Sequence, residues 1–117
     1  MTSERFASGD VFWAPNPYGN GGGPRPWLVV TADGVPYAGE EYVCLALTTS
    51  DLPDNVRVDD GDWVLGRVPD VTSYCSPWVI ATVKHDAVAE PQGALTASFT
   101  SEVAERAAAY LEADVAP

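Results

Sequence analysis

Apolar residues in this chain gather in short runs broken by glycine, proline and acidic turns, a pattern that predicts strands. Val11-Phe12-Trp13 begins the first strand after a Gly9-Asp10 turn, and positions 15–24 hold only Pro, Gly and Asn apart from Tyr18, as a long hairpin loop would. Trp27 to Thr31 is a continuous apolar run with turn residues on both sides, which suits a central strand. After a loop over Ala32 to Gly39, Tyr42 to Thr48 repeats that pattern, and Asn55 to Val58 alternates as a half-exposed strand does. Asp59-Asp60-Gly61-Asp62 is a turn, and Trp63-Val64-Leu65 fits a short strand or a helical turn. Ser73 to Val83 is rich in β-branched and aromatic residues, and Gly93-Ala94-Leu95 gives a last short strand.

Only the end of the chain has helical spacing. Thr100 is placed to cap a helix over Ser101 to Ala113, with Glu102 in its first turn and Phe99 as a hydrophobic staple. Val103, Ala107, Tyr110 and Leu111 then form a stripe toward the core. Five or more short strands and one terminal helix predict a mostly β fold: a small, bent antiparallel sheet or partly open barrel with the helix over one opening or edge. At 117 residues the chain has the length of one domain, expected over positions 9–117, behind a polar, frayed segment over positions 1–8.

Charge changes the picture. Ten Asp and seven Glu stand against five Arg and a single lysine, Lys84, for a formal net charge of −11. Such self-repulsion weakens a compact state in dilute buffer and is screened within about 3 Å at 1 M salt. The near absence of lysine points to a halophilic surface, and an ordinary acidic protein with a basic partner is the alternative. No run approaches the ~18 apolar residues of a membrane span and no charged-then-apolar leader opens the chain, so a soluble, cytoplasmic protein without a membrane partner is expected. Cys44 and Cys75 lie in strand-like apolar surroundings and are expected to be free and structural.

Several familiar chemistries find no support. The glycine run Gly21-Gly22-Gly23 lacks the Lys-Ser/Thr ending of a nucleotide-binding loop and no helix follows it. Cys44, Cys75 and His85 have no paired ligand spacing, so neither a metal nor another cofactor is expected. The Asp59–Asp62 run fits a solvated acidic turn better than a cation site, and His85, between Lys84 and Asp86, fits an exposed loop. What remains is Arg25 with Thr48 and Thr49. Arg25 opens the strand behind the glycine loop, the threonines close the neighbouring one, and pairing of those strands would bring a guanidinium and two hydroxyls to one rim. A planar fork of donors suits phosphate or carboxylate. By spacing alone, an arginine that merely anchors its loop fits equally.

Gly9-Asp10-Val11-Phe12-Trp13, the glycine loop, Arg25-Pro26-Trp27-Leu28-Val29-Val30 and Leu45-Ala46-Leu47-Thr48-Thr49-Ser50 follow in an order and spacing that resembles the MazF/PemK family of toxin endoribonucleases. Ser73 to Val83 and Leu95 to Leu111 resemble the family's later strands and closing helix. The resemblance implies an SH3-like barrel with a C-terminal helix, a homodimer, an antitoxin peptide as partner, and metal-independent cleavage of single-stranded RNA to a 2′,3′-cyclic phosphate. It implies that Arg25 and Thr48 are the catalytic pair on the scissile phosphate, Arg25 serving in proton transfer or in stabilising the transition state, and that the loop with Gly22 and Gly23 closes over RNA. Thr49 joins them at the rim, and since basic surface is scarce, Trp13, Tyr18, Trp27 and Trp78 are the candidates for stacking on bases. Where the family carries an acidic-Gln pair and then an arginine, this chain has Trp78-Val79 and Ala81. That departure supports a second possibility, a barrel that binds nucleic acid or a peptide through the same groove without cutting.

Overall fold

The computed structural model describes residues 5–17, 23–66 and 71–115. Seven strands run β1 Asp10–Ala14, β2 Arg25–Thr31, β3 Glu41–Thr48, β4 Val56–Val58, β5 Trp63–Gly66, β6 Ser73–Lys84 and β7 Glu90–Leu95, followed by helix α1 Ala97–Glu112. They form one sheet in the order β4-β6-β3-β2-β1-β7-β5, and every neighbouring pair is antiparallel. The predicted architecture is therefore present. No helix among the described residues is long and apolar enough to cross a membrane.

The sheet bends because its ladders slip. β3 leaves register with β6 between Leu45 and Ala46, whose partners jump from Ile80 to Ser76, so β6 carries extra residues around Pro77. Bulges of this kind increase local twist, and Pro77 sits where no ladder donor is needed. Further slips occur at Val11/Phe12 and Val29/Thr31.

Alternation along the bent strands creates two cores. Val11, Leu28, Leu45, Leu47, Cys75 and Leu95 pack with Phe99, Val103 and Ala107 of α1. Phe12, Trp27, Val29, Tyr42, Cys44 and Ala46 form the other, against which Phe6 and Val88 pack.

Three expectations need correction. The helix starts a turn earlier than Ser101: Thr96 is the cap, its Oγ1 accepting from Phe99 N at 3.1 Å. Thr100 is instead buried inside the first turn, its hydroxyl donating to the Thr96 carbonyl at 2.9 Å. The two threonines are four residues apart, so either offers a capping oxygen, and the burial of Phe99 selects the earlier one. The buried stripe is consequently Phe99, Thr100, Val103 and Ala107, while Tyr110 and Leu111 are exposed. Second, the last strand begins at Glu90 rather than Gly93, because Pro91 occupies a position that pairs with Phe12. Third, within the segment expected to be frayed, residues 5–8 pack on the sheet, while residues 1–4 lie outside those described. Phe6 packs edge-on to Phe12 with ring centroids 4.9 Å apart, and Ser8 Oγ donates to the Val30 carbonyl. Asn55 precedes β4 and bonds through its amide to the Ser50 carbonyl at 2.8 Å.

Candidate functional site

β2 enters the sheet through Pro24-Arg25-Pro26, and the two prolines restrict the backbone on both sides of the arginine. Arg25 pairs with Ala14 of β1 on one side. On the other, β2 and β3 pair as far as Trp27 and Ala46, and Arg25 and Thr48, each two residues beyond that pair, line one cavity. The predicted meeting of strand ends is present. Trp13, Pro24, Arg25, Pro26, Leu47, Thr48, Thr49 and Ser73 line a cavity of about 200 Å³ at this rim.

The guanidinium is held in an unusual state. Arg25 Nε is buried and finds no hydrogen-bond partner among the described residues. The guanidinium carbon lies 6.0 Å from the Trp27 ring centroid, within reach of a cation–π attraction. A buried donor without a partner costs about 1–3 kcal/mol, a cost that an anionic ligand would remove. No acidic residue lines the cavity among those described, although the chain carries a net charge of −11. Thr48 Oγ1 accepts from Ser50 N at 3.2 Å, which leaves its own proton available to a ligand oxygen.

Of the other residues named from the sequence, Trp13 and Thr49 line the cavity. The Trp13 indole N–H donates to the Gln92 side-chain oxygen, which fixes its plane. Gly23 is exposed and immediately precedes Pro24 of the lining, while Tyr18 and Gly22 lie outside the described residues. Trp78 does not line the cavity. It packs edge-on to Tyr110 of the helix at 5.9 Å, because the slip around Pro77 changes the alternation of β6. Sequence reasoning missed Ser73, which is buried and lines the cavity. Only the β3–β6 pairing brings it there, so a single sequence carries no signal for it.

A larger groove of about 690 Å³ is lined by Arg5, Phe6, Asp10, His85, Glu90 and Gln92, among others. Much of its polar lining is engaged by the fold. Asp10 Oδ2 accepts from Ala7 N at 2.8 Å, Gln92 accepts from Trp13, and His85 Nδ1 lies 2.7 Å from the Tyr42 hydroxyl. His85 is thus a half-buried tie on a 3-10 turn rather than the exposed loop histidine expected. Cys44 and Cys75 are free and buried, and burial pushes both thiols up to about 12.

No protein-family model matches the sequence, and no curated protein matches it. Solved structures do resemble it. An endoribonuclease from a mycobacterial species, in complex with its cognate antitoxin, is 24% identical with a TM-score of 0.63 over 94% of this chain and 93% of that one. A second mycobacterial endoribonuclease gives 21% and 0.67 over 97% of each chain. The Mycobacterium tuberculosis toxin MazF-mt6 gives 18% and 0.62 over 86% of this chain and 93% of its own. At these identities the likeness concerns the backbone, and this chain has the fold of those endoribonucleases along nearly its whole length.

Proposed function

We propose that this chain is the toxin of a type II toxin–antitoxin pair, an endoribonuclease that cuts single-stranded RNA. The observation that carries the proposal is the buried, unpartnered Arg25 Nε beside the Thr48 hydroxyl, in a cavity without carboxylates among its described lining. In this reading the scissile phosphate takes the place of the missing partner. The ribose 2′-oxygen attacks phosphorus, the bond to the 5′-oxygen breaks, and a 2′,3′-cyclic phosphate and a 5′-hydroxyl result. Arg25 stabilises the charge that builds on the phosphoryl oxygens, and Thr48 donates to one of them. The described lining offers neither an imidazole nor a carboxylate, and a guanidinium, which keeps its charge, is a poor proton carrier.

The same reading includes a cytoplasmic homodimer from a high-salt interior, silenced by an antitoxin peptide. Molar salt leaves little free energy in counterion release, so RNA is held by stacking and short charge-assisted bonds. The test is incubation of purified protein with single-stranded RNA in molar KCl and a chelator. Fragments ending in a cyclic phosphate are expected, and Arg25→Ala should lose about 10³-fold in rate, the scale of an arginine on a phosphoryl transition state. RNA left intact by folded protein favours the non-catalytic binding barrel. That second reading draws on Trp78, which packs on Tyr110 where the resemblance expects a polar group along the RNA.

A further inference from the structure

The cross-strand line through Arg25 and Thr48 continues past them. β3 pairs with β6 at Thr48 and Tyr74, and β6 pairs with β4 at Tyr74 and Arg57. Residues directly opposite in an antiparallel ladder share a face. Thr48, Tyr74 and Arg57 therefore form one transverse row over β3, β6 and β4, and Arg25, which lines one cavity with Thr48, extends it on β2, so that an arginine stands at each end. Three interstrand steps of about 4.8 Å separate those ends by about 14 Å along the sheet. A second cavity of about 230 Å³ lies at the far end, lined by Arg57, Trp63, Thr72 and Ser73 and, unlike the first, by two carboxylates, Asp59 and Asp60. Ser73 also lines the Arg25 cavity, so the two openings share a buried wall, and Tyr74, the next residue of β6, lies between the arginines without lining either.

The middle and far members of the row are available. Tyr74 is half-buried, and its hydroxyl has no partner among the described residues. Arg57 Nε meets Asp59 Oδ1 at 3.0 Å, with both side chains about two-thirds exposed. An exposed pair of this kind contributes little and exchanges readily. Cation, aromatic, cation is the order in which an extended single strand presents phosphate, base and phosphate. Six backbone bonds per nucleotide let two nucleotides cover the distance between the arginines.

Resting on the nuclease reading above, we propose that Arg57 binds a second phosphate and Tyr74 a nucleobase. A single strand held at Arg25 then crosses the sheet along this row. Asp59 competes with that phosphate for the guanidinium, so the acidic turn discriminates against loosely held anions.

The experiment compares cleavage of a diribonucleotide, which has one phosphate, with that of a hexaribonucleotide. Arg57→Gln should raise the hexamer KM about fivefold, the loss of one short charge-assisted bond to phosphate. Tyr74→Leu should raise it about tenfold, while Tyr74→Phe keeps the stacking face and stays near wild type. Asp59→Asn should lower it about twofold by freeing the arginine. Hexamer kcat and all dimer kinetics should stay unchanged. A KM shift equal on both substrates, or none on the hexamer, overturns the proposal and leaves the nuclease reading intact. Binding of a 2′-deoxy hexamer separates the two further. Wild type that cuts nothing yet binds this probe in an Arg57-dependent way sinks cleavage and keeps the second site, and absence of binding sinks both.

Discussion

Two polar places in this molecule differ in how they treat their donors. Around Tyr42, Phe6 N, the Tyr42 hydroxyl and His85 Nδ1 answer one another, although Trp27 Nε1 in the same core is buried without a partner among the described residues. The Tyr42 hydroxyl accepts from Phe6 N at 3.2 Å and stands 2.7 Å from His85 Nδ1, and Phe6 covers the pair with its ring. The direction of the Tyr42–His85 bond follows the imidazole tautomer: the hydroxyl donates when Nδ1 carries no proton and accepts when it does. At the opposite rim of the same sheet Arg25 Nε is buried and unanswered among the described residues. Folding satisfies the first place and leaves the second for a ligand. The sharpest way to break the comparison is Arg25→Lys, which keeps the charge and removes the planar fork. Cleavage should fall about 100-fold, because a point charge does not reproduce two aligned donors, while the denaturation midpoint stays put. A large loss of stability without loss of cleavage would mean that Arg25 belongs to the framework after all.

Tyr42→Phe asks the converse question. It strips the hydroxyl from a site with two partners and leaves Phe6 N and His85 Nδ1 to be satisfied by water or not at all. Chemical denaturation should report a loss of about 1–3 kcal/mol, with cleavage by the folded fraction unchanged. Should cleavage fall with stability unaltered, the Tyr42–His85 pair would have to be moved from framework to site.

How far each place was legible depends on the range of the interaction that makes it. The strands could be foreseen because their signals are local: Trp27-Leu28-Val29-Val30 and Leu45-Ala46-Leu47 are apolar runs fully or nearly buried in the sheet. Arg25 and Thr48 were within reach as well, since both end strands that follow one another in the chain. The Tyr42–His85 tie was not, because 43 residues separate its members and nothing near His85 hints at Tyr42. Trp78 failed for a related reason. A simple alternation through β6 ignores the slip around Pro77, and that slip decides which side of the strand the indole takes. Thr96 and Thr100 present equal local credentials as caps, and only the packing of Phe99 separates them.

Cys44 gives the finest probe of the closed region, because it sits on the same strand and in the same core as Tyr42, its thiol 3.7 Å from the Tyr42 carbonyl. Burial alone raises this thiol from 9.0 to about 12. The sign follows from where the proton is held. Below about pH 9 both folded and unfolded chains keep it, and the full stability is present. Between about 9 and 12 the unfolded chain releases the proton while the folded chain retains it, so stability falls as pH rises. The slope for one such thiol is about 1.4 kcal/mol per pH unit. Other groups titrate in this range too, so the quantity to measure is the difference between wild type and Cys44→Ala in urea denaturation at pH 8 and pH 10. The wild type should lose about 1 kcal/mol more than the variant across that interval. Equal losses would show that water reaches Cys44 in the folded state. The contrast between a region sealed by its own partners and a rim left open to a ligand would then rest on Arg25 alone.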